Sequence, residues 1–344
     1  RSLVAGNEAR QYVSHAERKP HVSMEHASPH GELVVPFRPA GEPAPRMTRL
    51  YDPAARRNRF GFADLYATIV GDMIDATRLA AGPARILAAV LVAVPAFAFA
   101  ARMRRYDRNV GTVGLAEASR RLLAKYVGAP RPRGARLPSR GPLMVVSNHP
   151  GVVDALVLFS ALDRDDVRVV ANDRVFFKAL PHLSRHLIVV STDPNRRIDT
   201  VRRMDRSLRA GHALVLFAAG EIEPDPRYAS EDREVLRRWS SVIGVMCRIA
   251  SRTHAQVPVV PVLLSGVFSN RSRIHPLVRV RRAGTSREDS ATLHVLMRGR
   301  MRWHRPTFAV GRPVSAASLW RREGKIGVIT EQVRAAAAAL RPIL

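Results

Sequence analysis

From residue 143 onward the chain alternates short β-rich runs with helical segments. Each strand needs its apolar faces covered, so the pattern demands helices on both sides of one sheet. Strand patterns fall at 143–147, 167–171, 187–191, 213–217, 259–264, 292–298 and 307–310, with helical patterns at 155–162, 175–180, 197–209, 231–253 and 325–340. No internal repeat accompanies them. The expected fold class is therefore α/β, a single central sheet, mostly parallel or mixed, flanked by helices.

The sequence ahead of this alternation divides in two. Residues 1–58, with the proline-rich and charged stretch 38–46, read as a disordered basic tail. Residues 59–127 read as a helical, membrane-associating region, and 128–344 as the α/β domain, entered through a linker over 128–142. Leu65, Ile69, Val70, Met73 and Ile74 recur at helical spacing. The apolar run 86–101 follows, bounded by Arg85 and by Arg102, Arg104 and Arg105. It contains Pro95 and falls short of the roughly 20 residues of a full span. A helix in the membrane interface, its arginines reaching anionic headgroups, fits that length. A buried helix of a soluble bundle fits it too.

Charge narrows the partners. The chain carries 56 Lys+Arg against 29 Asp+Glu, a net +27 over 344 residues. Such an excess favours an anionic surface, either membrane or nucleic acid. Aromatic residues make up only 6% and do not interleave with the basic clusters, so no nucleic-acid partner is expected. One cysteine, Cys247, rules out an intrachain disulfide and a thiolate metal cluster. No metal-ligand spacing is present.

The segment Ser147-Asn148-His149-Pro150-Gly151, followed by Asp154, closes the first strand of the alternation. A carboxylate that takes the Nδ1 proton of an imidazole leaves Nε2 free to accept a hydroxyl proton. A capping histidine and an aspartate favoured by the helix dipole fit the same residues. Further on come the turn Phe217-Ala218-Ala219-Gly220-Glu221-Ile222-Glu223, the basic pair Arg196 and Arg197 after the third strand pattern, and the proline-bearing strand around Pro261.

In this order the segments resemble the glycerolipid acyltransferase family, which contains the PlsC-type 1-acylglycerol-3-phosphate acyltransferases. Asn148, His149 and Asp154 match the family's Asn-His-x4-Asp motif in full. Phe217 and Gly220 match its third motif, where Ala218, Ala219, Glu221, Ile222 and Glu223 replace the proline, glutamate, threonine, arginine and serine. The resemblance covers roughly 140–315. It implies an O-acyltransferase with His149 as general base and Asp154 as its orienting partner. It makes Asn148, Arg196, Phe217, Gly220, Glu221 and Pro261 candidates for substrate binding, Glu221 standing in for the displaced glutamate. Backbone N–H groups near Gly151 or Gly220 are the candidate oxyanion donors.

No cofactor is implied. The donor would be acyl-CoA or acyl-ACP, the latter making acyl carrier protein a partner. The acceptor would be a hydroxyl of a (lyso)phospholipid or related lipid, and the place the cytoplasmic face of the cell membrane, peripherally or monotopically. The alternative is a non-catalytic membrane-binding protein on the same scaffold. Loss of the third motif's arginine weakens the case for lysophosphatidate in particular.

Overall fold

The computed structural model describes residues 60–77, 82–151, 153–191, 193, 196–229, 236, 238–253, 256–267 and 305–344. The expected tail 1–58, the strand pattern 292–298 and the segment 231–235 of the long helical pattern lie outside them.

Three helices come first: α1 (Phe62–Thr77), α2 (Pro83–Val113) and α3 (Leu115–Tyr126). Then follow β1 (Arg131–Gly134), β2 (Leu143–Ser147), α4 (Val153–Leu162), β3 (Val167–Asn172), α5 (Val175–Lys178), α6 (Pro181–Ser184), β4 (Leu187–Val190), α7 (Arg197–Arg209) and β5 (Ala213–Phe217). The chain closes with α8 (Val242–Thr253), β6 (Pro258–Ser265), β7 (Thr307–Val310), β8 (Val314–Ser315), α9 (Ala316–Glu323) and α10 (Ile326–Ala338). Among the described residues the strands form one sheet in the order β1-β7-β6-β2-β5-β3-β4, with β8 paired to β6. The five strands from β6 to β4 are mutually parallel, while β7 and β8 run antiparallel to β6. The sheet is therefore mixed and mostly parallel.

Strand β2 is buried at all five positions because both faces of the sheet are covered. Leu143 and Val145 face a core built with α1–α4, where Leu65, Ala96, Leu115 and Val157 pack. Met144 and Val146 face the opposite core, closed by α7–α10 through Met204, Met246, Leu319 and Ile329. Each fully buried large aliphatic side chain contributes about 1.5–3 kcal/mol relative to exposure. Cys247 lies in this second core, where burial pushes its thiol up to about 12.

The structure alters four sequence expectations. The linker 128–142 contains β1, an exposed edge strand paired in parallel with β7. Arginines and Pro132, which suit an edge, hide it from any search for apolar alternation. The helical pattern 175–180 ends early, at Lys178, and a second short helix begins beyond it at Pro181. Trp239 and Ser240 precede α8 instead of joining it: Ser240 N–H donates to Ala218 O (2.8 Å), and its hydroxyl accepts Val242 N–H (3.3 Å) as a cap. Helix α2 runs far past residue 101, through Pro95, to Val113.

Two faces of α2 are apolar. Val92, Ala96, Phe99 and Met103 are buried. Ile86, Leu87, Val90, Leu91, Val94 and Phe97 form a second stripe that is 55–78% exposed. Past this stripe the helix is bound to the α/β body, through an Arg104 guanidinium bond to Ala179 O (2.9 Å) and Asp107 Oδ1, which accepts His182 and Leu183 N–H at 2.9 and 2.8 Å. By length and composition, residues 85–113 make the one helix among the described residues able to cross a membrane.

Candidate active site

The site grows from the carboxyl end of β2, the edge at which open parallel sheets bind ligands. Asn148, the first residue past the strand, is fully buried and reads the main chain of its neighbour: its amide donates to Leu264 O (2.9 Å) and accepts Leu264 N–H (2.7 Å). That pair of bonds extends the β2–β6 ladder through a side chain. It sets the point at which the chain turns off the sheet, and so the start of His149.

His149 Nδ1 lies 2.7 Å from Asp154 Oδ2. Asp154 sits in the first turn of α4, fully buried. Its carboxylate also accepts Gly151 N–H (3.0 Å) and Ala155 N–H (2.6 Å), so its orientation is over-determined. This arrangement assigns the Nδ1 proton to the carboxylate side and leaves Nε2 as the acceptor. The imidazole side chain retains 27% exposure while Asp154 has none. On one face the ring stacks on Phe217, centroids 4.5 Å apart and 28° between planes. Burial pulls the basicity of His149 down, but the charge and hydrogen bond of Asp154 and the charge of Glu223 outweigh it, so its pKa is raised above the ordinary 6.5.

The turn after β5 lies beside this loop. Ala218 N–H donates to Ser147 O (2.9 Å), and Glu223 N–H donates to His149 O (2.8 Å). Glu223 is fully buried; its Oε2 accepts His149 N–H (3.1 Å) and its Oε1 accepts the Trp239 indole N–H (3.3 Å). Glu221, expected to replace the displaced glutamate, is instead exposed. Glu223 holds the buried place, two residues further along. The signal missed in the sequence was spacing: Glu223 and Trp239 become neighbours only through the fold. Asp225, which the sequence reading did not single out, is buried and accepts the Ser265 hydroxyl (3.1 Å), Gly266 N–H (2.8 Å) and Val267 N–H (2.7 Å), tying the turn to the end of β6.

The remaining candidates fall at different distances from the histidine. Gly220 adopts φ 70° and closes a turn by donating its N–H to Phe217 O (3.1 Å). The Gly151 N–H is likewise taken, by Asp154. Neither glycine's own N–H is therefore open to an oxyanion. Pro261 lies opposite Val146 within β6. Its carbonyl accepts Gly311 N–H (2.9 Å) on the side where the antiparallel partner is interrupted between β7 and β8, so no ladder bond is lost there. Arg196 lies at the N-terminus of α7, largely exposed, with Nε 3.8 Å from Asp193. It follows β4, three strand spacings from β2, or about 14 Å across the sheet. The structure does not bring it against His149. Among the described residues no group of His, Cys, Asp and Glu is arranged to hold a metal ion.

The family model described as Acyltransferase matches residues 131–265, from the first residue of β1 to the last of β6. That span contains the whole constellation around His149. Residues 131–265 are an acyltransferase-family domain. The acyltransferase match and the sequence resemblance meet on the same loops. A solved structure, the 1-acyl-sn-glycerophosphate acyltransferase PlsC from Thermotoga maritima, is similar at 14% identity and a TM-score of 0.37, over 82% of this chain and 92% of that one. No curated protein matches the chain.

Proposed function

We propose that the protein transfers a fatty acyl group from a thioester, acyl-CoA or acyl-ACP, to a hydroxyl of a (lyso)phospholipid or related lipid. The single observation that carries this reading is the His149–Asp154 pair at 2.7 Å, buried on the aspartate side and open on the histidine side, inside an acyltransferase-family domain. In the reaction Nε2 of His149 takes the acceptor's hydroxyl proton as its oxygen attacks the thioester carbonyl. The C–O bond forms, the tetrahedral intermediate collapses, the C–S bond breaks, and the proton passes from the imidazolium to the departing thiolate. Asp154 holds the ring in the required tautomer throughout. A thioester is activated already, so neither a covalent enzyme intermediate nor a cofactor enters the scheme.

The exposed stripe on α2 supports a membrane-bound setting. Six large apolar side chains on one helical face form the kind of patch that seeks a lipid interface, and the exposed Arg105 and Arg108 beyond it suit anionic headgroups. The far half of α2 is fastened to the α/β body. This arrangement favours a helix lying in a membrane interface, and we propose the cytoplasmic face, where the thioester donor would be met. Ile222, at the position of the third motif's arginine, leaves the acceptor's head group open to chemistries other than lysophosphatidate.

Incubation of the purified protein with labelled acyl-CoA or acyl-ACP and a panel of lysolipids and hydroxy-lipids, read by lipid mass spectrometry, tests the proposal. The expected result is a new ester on at least one acceptor. Thioester donors left intact across the whole panel would favour a non-catalytic scaffold instead.

A further inference from the structure

The role of Glu223 goes beyond holding a loop. Both main-chain groups of His149 end on this one residue: the N–H on Oε2 at 3.1 Å and the carbonyl on the Glu223 N–H at 2.8 Å. The side chain has no exposure, and its second oxygen takes the Trp239 indole N–H at 3.3 Å. A neutral amide would cost less to desolvate than a buried charge, but its single oxygen could accept only one of these two N–H groups. What an amide could not supply is negative charge beside the imidazole.

We propose that Glu223 is a positioning residue of the catalytic centre, fixing the His149 backbone and placing a second carboxylate where the ring becomes positive during proton abstraction. The inference rests on His149 acting as the base. Three groups lie against His149. From α4 comes Asp154, at 2.7 Å, and from β5 the uncharged ring of Phe217. From the turn after β5 comes Glu223, whose charge raises the basicity of His149 in addition to that of Asp154. Arg334 of α10, paired with Glu331, lies within electrostatic reach of Glu223, whose charge adds to its basicity. The base is thus flanked by two carboxylates, one on the ring and one on its backbone. This second carboxylate occupies a position at which the family's third motif carries serine.

The test is the pH–rate profile of Glu223→Gln, measured with the acyl donor and lipid acceptor that give product with wild-type protein. Glutamine keeps the shape and an acceptor for His149 N–H but removes the charge. The imidazole then becomes less basic, so the acid limb of kcat moves to lower pH while the plateau falls, by up to about tenfold for each pH unit of lost basicity. A limb that stays in place, whatever the plateau does, would overturn the electrostatic role. Glu223→Asp, which keeps the charge one methylene further back, should lower the plateau and hold the limb. An unchanged Asp variant would overturn the positioning role, and this variant also serves if the glutamine chain does not fold. His149→Ala separates the two claims. If it remains active, the assignment of the base fails, whereas an inactive His149→Ala beside an unaltered Glu223→Gln sinks only the inference on Glu223.

Discussion

At the scale of single residues, the site depends on carboxylates with fixed partners. Asp154 accepts three hydrogen bonds, so Asp154→Asn should keep the fold while disturbing the tautomer of His149. Turnover should fall by roughly 10²–10⁴-fold, as expected when a general base loses the carboxylate that fixes its tautomer, as measured by steady-state kinetics at saturating donor. The raised pKa of His149 has a consequence for stability as well. Its protonated form is favoured by the folded state, so this contribution is complete below the ordinary imidazole value and fades as pH rises through the raised one. Wild type should therefore hold its largest Tm advantage over His149→Ala below about pH 6.5 and lose it toward alkaline pH. A constant difference in melting temperature across that range would contradict the sign. His149 and Asp154 were legible in the sequence because their spacing is local, five residues across one turn. Glu223 was not, because its meaning depends on contacts with residues 149 and 239 that only the fold creates.

At the scale of elements, one side chain fastens the two strands whose far ends carry the site. Arg164 is buried and binds Gly141 O (2.9 Å) and Gly211 O (3.0 Å), joining the approaches to β2 and β5. Arg164→Met should cost about 1–3 kcal/mol, since it removes the buried guanidinium that binds Gly141 O, Gly211 O and the half-exposed Asp166 carboxylate. A denaturant midpoint within experimental error of wild type would refute this. Strands β2, β5 and β6 were legible because apolar runs buried on both faces leave a strong mark in composition. Edge strand β1 was not, since Arg131, Pro132 and Arg133 face solvent and owe their extended form to β7 alone. Helix α8 was expected too long because Trp239 and Ser240 continue the apolar pattern while their hydrogen bonds go to Glu223 and Ala218.

At the scale of the whole molecule, the first core joins the N-terminal helices to the sheet face from which the histidine loop emerges. The second core closes the far side. The exposed stripe of α2 thus belongs to the same body as the catalytic loop, which would bring the site to a lipid surface and leave donor chemistry on the aqueous side. Leu91→Asp with Val94→Asp should reduce cosedimentation with anionic vesicles by about tenfold or more, from lost apolar burial, and leave Tm near wild type. Equal vesicle binding by the double variant would remove α2 from the account. The net charge of +27 gives binding a second, salt-sensitive component. High salt should therefore weaken wild-type binding without abolishing it.

The central claim is that His149 removes the proton from the acceptor hydroxyl. It is tested most directly by the initial rate of acyl transfer in purified His149→Ala, with matched thermal unfolding to establish that the chain is folded. The account predicts a native melting transition and a rate lowered by at least about 100-fold. A folded variant that turns over at the wild-type rate would contradict it.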